Sequence, residues 1–186
     1  MRVISGIAKG TKLNSIDRIT TRPTLDRVKE SLFNIIQNKI EDSIILDLFS
    51  GSGAIAIEFL SRGAKKAYLC EINYKAIKMI YSNLEKTKLN SKAVVIKNDY
   101  KKALEFLSNQ KIQFDLIYLD PPYELNLAVD SVNKILKFNL LKEKGNIIIE
   151  TDDEKRELLE LENSQIDIID IRKYGRVSLI FLKLKQ

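Results

Sequence analysis

Apolar residues in this chain alternate between two patterns. The first is a short, nearly continuous run: Ile44-Ile45-Leu46-Asp47-Leu48-Phe49, Ala67-Tyr68-Leu69-Cys70, Ala93-Val94-Val95-Ile96-Lys97, Phe114 to Leu119, and Asn146 to Glu150. Runs of that length with no polar face predict strands buried on both sides. Between them, apolar residues recur at helical spacing. Leu25, Val28, Leu32, Ile35 and Ile36 predict a helix over 25–39, with Thr24 as N-cap and Asp26 in its first turn. Further helices are expected from Ala54 to about Ser61, from Tyr74 to Lys86 with Ile77, Ile80, Tyr81 and Leu84 on one face, from Tyr100 to Leu107, and from Leu125 to Phe138. The acidic segment 151–162 reads as a solvated helix. Ile166–Tyr174 and Val177–Leu184, joined tightly at Gly175, read as an antiparallel hairpin. At the other end, Arg2–Gly6 and Gly10–Leu13 read as two short strands around a Gly/Lys turn, followed by a loop at Thr20–Thr24. The fold class that follows is α/β: one doubly wound domain on a seven-stranded, mostly parallel sheet with an antiparallel C-terminal hairpin, plus a small basic hairpin extension at the N-terminus.

In such a sheet, ligands bind outside the carboxyl ends of the strands. Four strand ends carry polar residues of interest. Asp47 is followed by Ser50-Gly51-Ser52-Gly53 and then a helix, the strand, glycine turn and helix of a nucleotide-binding unit. Glu71 ends the second strand 20 residues after Gly51, the spacing at which an acid reaches ribose hydroxyls. Asn98-Asp99 ends the third. Asp120-Pro121-Pro122-Tyr123 ends the fourth. Two successive prolines fix φ, donate no N–H and leave their carbonyls free to accept. A carboxylate, a bare carbonyl and an aromatic ring then share one small rigid space. An exocyclic nucleobase amine, with two donors and a flat ring, matches that set. The plainer alternative is a stiff strand-to-helix turn with a buried Tyr. The glycine pattern alone also leaves a dehydrogenase open, although a dehydrogenase has no use for a twin-acceptor amine clamp.

Composition narrows the chemistry. There is no histidine and one cysteine, Cys70, among 186 residues. A zinc cluster, an internal disulfide and a Ser-His-Asp or Cys-His machine are thereby excluded, and a base must be a carboxylate, Lys, Tyr or water. Cys70 itself reads as a small buried hydrophobe. The lone cysteine fits a reducing compartment, no apolar run approaches the length of a membrane span, and no signal peptide opens the chain. A cytoplasmic location is expected. Net charge is +6, with five basic residues against Asp17 alone in residues 1–24. A basic arm on a globular domain suggests a polyanion partner, and a solvated basic surface is the bland alternative.

Taken together, Asp47-x-x-x-Gly51-x-Gly53, Glu71, Asn98-Asp99 and Asp120-Pro121-Pro122-Tyr123 resemble the motif series of class I S-adenosylmethionine-dependent amino-methyltransferases. Ser5-Gly6, Gly10-Thr11-Lys12-Leu13, the run Thr21-Arg22-Pro23-Thr24-Leu25-Asp26-Arg27 and Tyr174-Gly175 are similar to the RsmD family, which methylates N2 of a guanine in bacterial small-subunit ribosomal RNA. The opening turn departs from the resemblance, with Ile7-Ala8-Lys9-Gly10 in place of a more arginine-rich version. The resemblance implies residues 1–24 as a basic extension and 25–186 as the methyltransferase domain. It implies S-adenosylmethionine as cofactor, held by Asp47, Phe49, Gly51, Ser52, Gly53, Glu71, Asn98 and Asp99. It implies catalysis by Asp120, Pro121, Pro122 and Tyr123, without a metal. RNA would be met by Arg2, Lys9, Lys12, Arg22 and Thr24, the substrate being rRNA within an assembled or partly assembled subunit and the protein a monomer. Two alternatives remain: a DNA adenine- or cytosine-amino methyltransferase, which shares Asp-Pro-Pro-Tyr but usually carries an added recognition domain, and a non-catalytic RNA-binding protein that retains the fold.

Overall fold

The computed structural model describes residues 1–15, 22–122, 127–161 and 165–185, without the side chains of 22–26 and 160. Its sheet has the order β3-β2-β1-β4-β5-β7-β6, from β1 (Ile44–Asp47), β2 (Lys66–Glu71), β3 (Ala93–Lys97), β4 (Phe114–Leu119), β5 (Leu141–Thr151), β6 (Ile166–Tyr174) and β7 (Val177–Leu184). The first five run parallel. β7 is antiparallel to both β5 and β6 and lies between them. The expected α/β sheet is therefore present.

Helices cover both faces because successive strand residues point to opposite sides. On one face Ile45 and Leu69 pack with α1 (Arg22–Ile35), α2 (Ala54–Ser61) and α3 (Tyr74–Thr87). On the other, Leu46 and Cys70 pack with α4 (Tyr100–Asn109), α5 (Leu127–Lys137) and α6 (Glu154–Leu161).

Several expectations are corrected. The helix expected over 25–39 starts at Arg22, so Thr24 lies inside its first turn and is not the N-cap. Pro23 is tolerated there because a first-turn N–H has no intrahelical partner in any case. That helix stops at Ile35, and Gln37–Lys39 continues as a 3-10 turn. Its buried face uses Phe33, with rings edge-on to Phe59 at 4.7 Å, while Ile35 is exposed. On α3, Tyr81 turns outward although Ile77, Ile80 and Leu84 are buried. β5 begins at Leu141, five residues before Asn146, across a register shift between Phe114 and Leu116. Gly145 sits at that irregularity, where a Cβ would stand 3.0 Å from the Phe114 carbonyl oxygen. α6 is not fully solvated: Glu157 and Leu161 are buried, and Arg156 donates to Glu157 at 2.8 Å.

The opening does not form two strands. A single bridge joins Arg2 and Lys12, and the turn between them is bound to α2 instead. Ile4 and Ser5 donate their backbone N–H to Glu58 at 2.8 and 2.9 Å, and Ile7 donates to the Ser61 carbonyl at 2.8 Å. Gly6 makes this docking possible, since a Cβ there would lie 1.8 Å from the Ser61 carbonyl oxygen. Glu58, fully buried, also takes Arg62 at 2.8 Å and Lys29 at 3.3 Å. A buried carboxylate is tolerated only when such partners fill its lone pairs.

Candidate active site

The strand register brings four predicted positions to one level. Asp47 lies beside Leu69 on β2 and Tyr118 on β4. Glu71 lies two residues beyond Leu69 and Asp120 two beyond Tyr118, while Glu71 itself pairs with Lys97, next to Asn98-Asp99. Asp47, Glu71, Asp99 and Asp120 thus mark the carboxyl ends of four adjoining strands.

After β1 the chain turns within four residues. Gly53 donates to the Ser50 carbonyl at 2.7 Å, and Ser50 donates to the Cys70 carbonyl at 3.0 Å. Gly51 and Gly53 have φ of 53° and 77°, the left-handed region that a side chain disfavours. A Cβ on Gly53 would also press to 3.1 Å on Leu69. Gly53 is the N-cap position of α2 and has no capping side chain, so the first N–H groups of that helix face the turn.

Asp47 is a strongly perturbed acid. It is buried, its Oδ2 has no hydrogen-bond partner, and its pKa is pushed up to about 7, chiefly by burial and then by Glu71, against the hydrogen bond from Ala56. An orphaned buried carboxylate oxygen suits a cationic partner such as an ammonium group. Glu71 Oε2 accepts from Gly51 N–H at 2.8 Å, while Oε1 accepts from Ile72 and Asn73 at 2.9 and 2.8 Å. Asp99 caps α4, accepting from Lys101 and Lys102 at 3.0 and 3.1 Å. Asn98 is exposed, its side-chain oxygen accepting from Asp99 N–H and its carbonyl accepting from the Cys70 thiol at 3.4 Å. Burial pushes that thiol up to about 12, so Cys70 is an inert core residue, as read from the sequence.

Phe49 and Tyr100 stand with ring centroids 5.6 Å apart, a half-buried aromatic pair beside the Asn98-Asp99 turn. The Tyr100 hydroxyl donates to Asp130 at 2.6 Å, and burial and that carboxylate hold it above its ordinary pKa. The residues present therefore fit an adenosyl-methionine ligand: a cation partner, a glycine turn, ribose and amine acceptors and an apolar ring wall. Pro121 is buried and Pro122 exposed; Tyr123 lies outside the described residues. Of the predicted RNA contacts, Arg2, Lys9 and Lys12 are exposed, and the side chains of Arg22 and Thr24 lie outside the described residues. Among the described residues no group of three or more His, Cys, Asp or Glu could hold a metal, and no helix is long and apolar enough to cross a membrane.

Sequence reading missed three supports of the site. Tyr118 donates its hydroxyl to Glu150 on β5, and both are buried below Asp120. Asn83 on α3 accepts from Asn14 N–H at 2.7 Å and donates to the Ser52 carbonyl at 3.0 Å, tying the N-terminal arm to the glycine turn. The signal for the third, Glu58, was present: an acid in the otherwise apolar helix Ala-Ile-Ala-Ile-Glu-Phe-Leu must be buried and paired.

A profile of the family described as Conserved hypothetical protein 95 matches residues 1–183. A Bacillus subtilis protein, provisionally named as an rRNA methyltransferase, is 38% identical over 185 residues, with 98% of each chain covered. The Haemophilus influenzae ribosomal RNA small subunit methyltransferase D is 37% identical over 157 residues, covering 83% of this chain and 80% of that one. A solved Escherichia coli structure, provisionally named as a methyltransferase, superposes with a TM-score of 0.83 at 28% identity, covering 100% of this chain and 99% of the other.

Proposed function

This chain belongs to the RsmD family, described as Conserved hypothetical protein 95, and from that membership we propose that it transfers a methyl group from S-adenosylmethionine to the N2 amine of a guanine in small-subunit ribosomal RNA. The observation that carries this reading is the convergence of Asp47, Glu71, Asp99 and Asp120 on four adjoining strand ends around one glycine turn. An NAD-dependent dehydrogenase would share the glycine turn and Glu71 but has no role for Asp120-Pro121-Pro122.

When bound, the cofactor supplies an electrophilic methyl on a positively charged sulfur. The chain's own residues do the rest. Asp47 Oδ2 takes the methionine ammonium group and shifts to its charged form on doing so. The turn at Gly51–Gly53 and the opening N–H groups of α2 receive the carboxylate. Glu71 accepts from ribose hydroxyls while holding Gly51. Phe49 and Tyr100 wall the adenine, and Asn98 and Asp99 receive its amine.

Asp120 and the Pro121 carbonyl accept the two N–H groups of the splayed-out guanine amine, with Tyr123 stacked on the ring. That aims the nitrogen lone pair at the methyl group. Asp120, or water beside it, would take the proton that the amine nitrogen releases on methylation. Positioning of this kind supplies about 7–11 kcal/mol of a barrier when the geometry is good.

The substrate in this reading is an assembled or partly assembled subunit, and the enzyme a cytoplasmic monomer. Phosphate contacts from Arg2, Lys9, Lys12 and Arg22 give affinity with little sequence information, so a folded scaffold must present the guanine. The test is incorporation of labelled methyl, at matched concentration and salt, into subunits lacking the modification and into protein-free rRNA. Mass mapping should place it on a guanine N2, with faster incorporation into subunits. Absence of transfer to either RNA, with transfer to DNA adenine or cytosine, would replace this reading with the DNA one.

A further inference from the structure

We propose that the outer face of α3, together with the end of β3, is a second RNA-docking surface that holds an unpaired stretch of the substrate by stacking on Tyr74 and Tyr81 and by phosphate contacts from Lys78 and Lys97. The inference rests on the substrate reading above and adds a surface that the N-terminal arm does not include.

Charge is the first observation. Residues 74–111 hold nine lysines against Glu85, Asp99 and Glu105, and the rest of the chain carries 22 basic and 22 acidic residues. This segment therefore carries +6 by itself, while the basic excess of residues 1–24 is balanced by acids elsewhere in the chain. The segment builds α3, β3 and α4, at one edge of the sheet. Neither helix carries an acid in its first turn, and Lys101 and Lys102 sit in the first turn of α4, where the helix dipole disfavours a cation. Asp99 at the N-cap meets Lys102 at 4.0 Å and offsets one of these cations, and the remaining excess of lysine suits a polyanion.

Aromatic placement is the second. Tyr74 and Tyr81 are 68% and 44% exposed, and Tyr81 turns outward although its spacing from Ile77, Ile80 and Leu84 places it with the core. With Lys78 they occupy positions i, i+4 and i+7 of α3, a single stripe. Lys78 Nζ lies 4.6 Å from the Tyr74 ring centroid, and Lys97 Nζ lies 5.0 Å from that of Tyr81. The two rings are about 10 Å apart along the axis, at 1.5 Å per residue, a span of two to three nucleotides. Rings that stack on bases, with cations beside them, are the chemistry of sequence-tolerant single-strand binding. Tyr74 also stands three residues past Glu71, at the mouth of the site. A strand on this stripe therefore runs toward the reacting base.

The test uses the full chain with an rRNA fragment or subunit lacking the modification. Tyr74→Ala with Tyr81→Ala should weaken RNA binding about tenfold or more, leaving the salt slope unchanged. Lys78→Ala with Lys97→Ala should lower the slope of log K against log salt by about 1.4. S-adenosylmethionine affinity and melting temperature should hold in both, which separates lost docking from a damaged fold. Ultraviolet cross-linking of the wild type should place RNA on peptides containing Tyr74 or Tyr81. If the wild type binds and methylates RNA and both double variants match it in affinity and slope, this surface is overturned and the methyl-transfer reading stands. If the wild type neither binds nor methylates RNA, both fall.

Discussion

The Glu71 carboxylate accepts the backbone N–H of Gly51 at 2.8 Å. The acid at the end of β2 thus clasps the glycine turn at the end of β1, so in the proposed mechanism cofactor recognition and the shape of the turn share one side chain. All three protein groups that it accepts are N–H donors. Glu71→Gln would set an NH2 against one of them, an unmade bond costing about 1–3 kcal/mol. Cofactor affinity should fall roughly ten- to a hundredfold by calorimetry. An unchanged dissociation constant would remove Glu71 from the site.

Asp120→Ala should abolish turnover while leaving cofactor affinity within about twofold. In the proposed mechanism Asp120 faces the target amine, so its interaction would be made mainly in the transition state. Single-turnover rates at saturating cofactor measure this; near-normal rates would reject the amine clamp.

Asp47 gives the free protein a pH signature. Its ordinary value of 3.8 is raised to about 7 by burial. An acid raised on folding leaves stability intact below about pH 4, and the contribution is lost progressively as pH climbs to about 7. The full loss is about 4 kcal/mol, at 1.36 per unit. Asp47→Asn cannot acquire the charge. Its melting temperature should exceed that of the wild type by a margin that widens by several degrees between pH 5 and pH 8. Its cofactor binding should be lost over the same range. Parallel melting curves across pH would show that Asp47 ionises in the fold without penalty.

Replacing Arg2, Lys9 and Lys12 by Ala should flatten the salt dependence of RNA binding by roughly two to three units of slope. All three are exposed, so the melting temperature should hold. An unchanged slope would return the arm to an ordinary solvated surface.

Glu58→Ala would leave Lys29 and the half-buried Arg62 without their shared acid, and Ile4 and Ser5 N–H without an acceptor. Removing one partner of such a buried network costs about 3–5 kcal/mol. Chemical denaturation should show that loss, with protease cleavage appearing first in residues 1–15.

What the sequence made legible was periodic or local. Strand ends at Asp47, Glu71, Asn98 and Asp120 follow from apolar runs that stop. The glycine turn follows from the positive φ that only its spacing of glycines suits. What stayed hidden depends on contacts across long stretches of chain. Glu58 was visible as an acid in an apolar helix, but its bonds to Ile4 and Ser5 span more than 50 residues, and no periodicity carries them. Tyr81 reads as a core position from helical spacing, yet β3 is the edge strand of the sheet on that side and the ring stays 44% exposed. Glu150 reads as the polar end of a strand; only the β4–β5 pairing brings it to Tyr118.

The insertion of β7 between β5 and β6 bears on how the protein is made. Six strands are synthesised before Val177, yet the sheet cannot close without the seventh. Ile147–Thr151 pairs with Ser178–Leu182, and the same strand pairs on its other side with Ile166–Tyr174. β6 would have no neighbour in the sheet until then. Completion of this half therefore waits for β7, and β5 must be kept from pairing elsewhere until then. A stop codon at position 177 would remove an interior strand, not an edge, so truncation there should yield insoluble protein in place of a shortened enzyme.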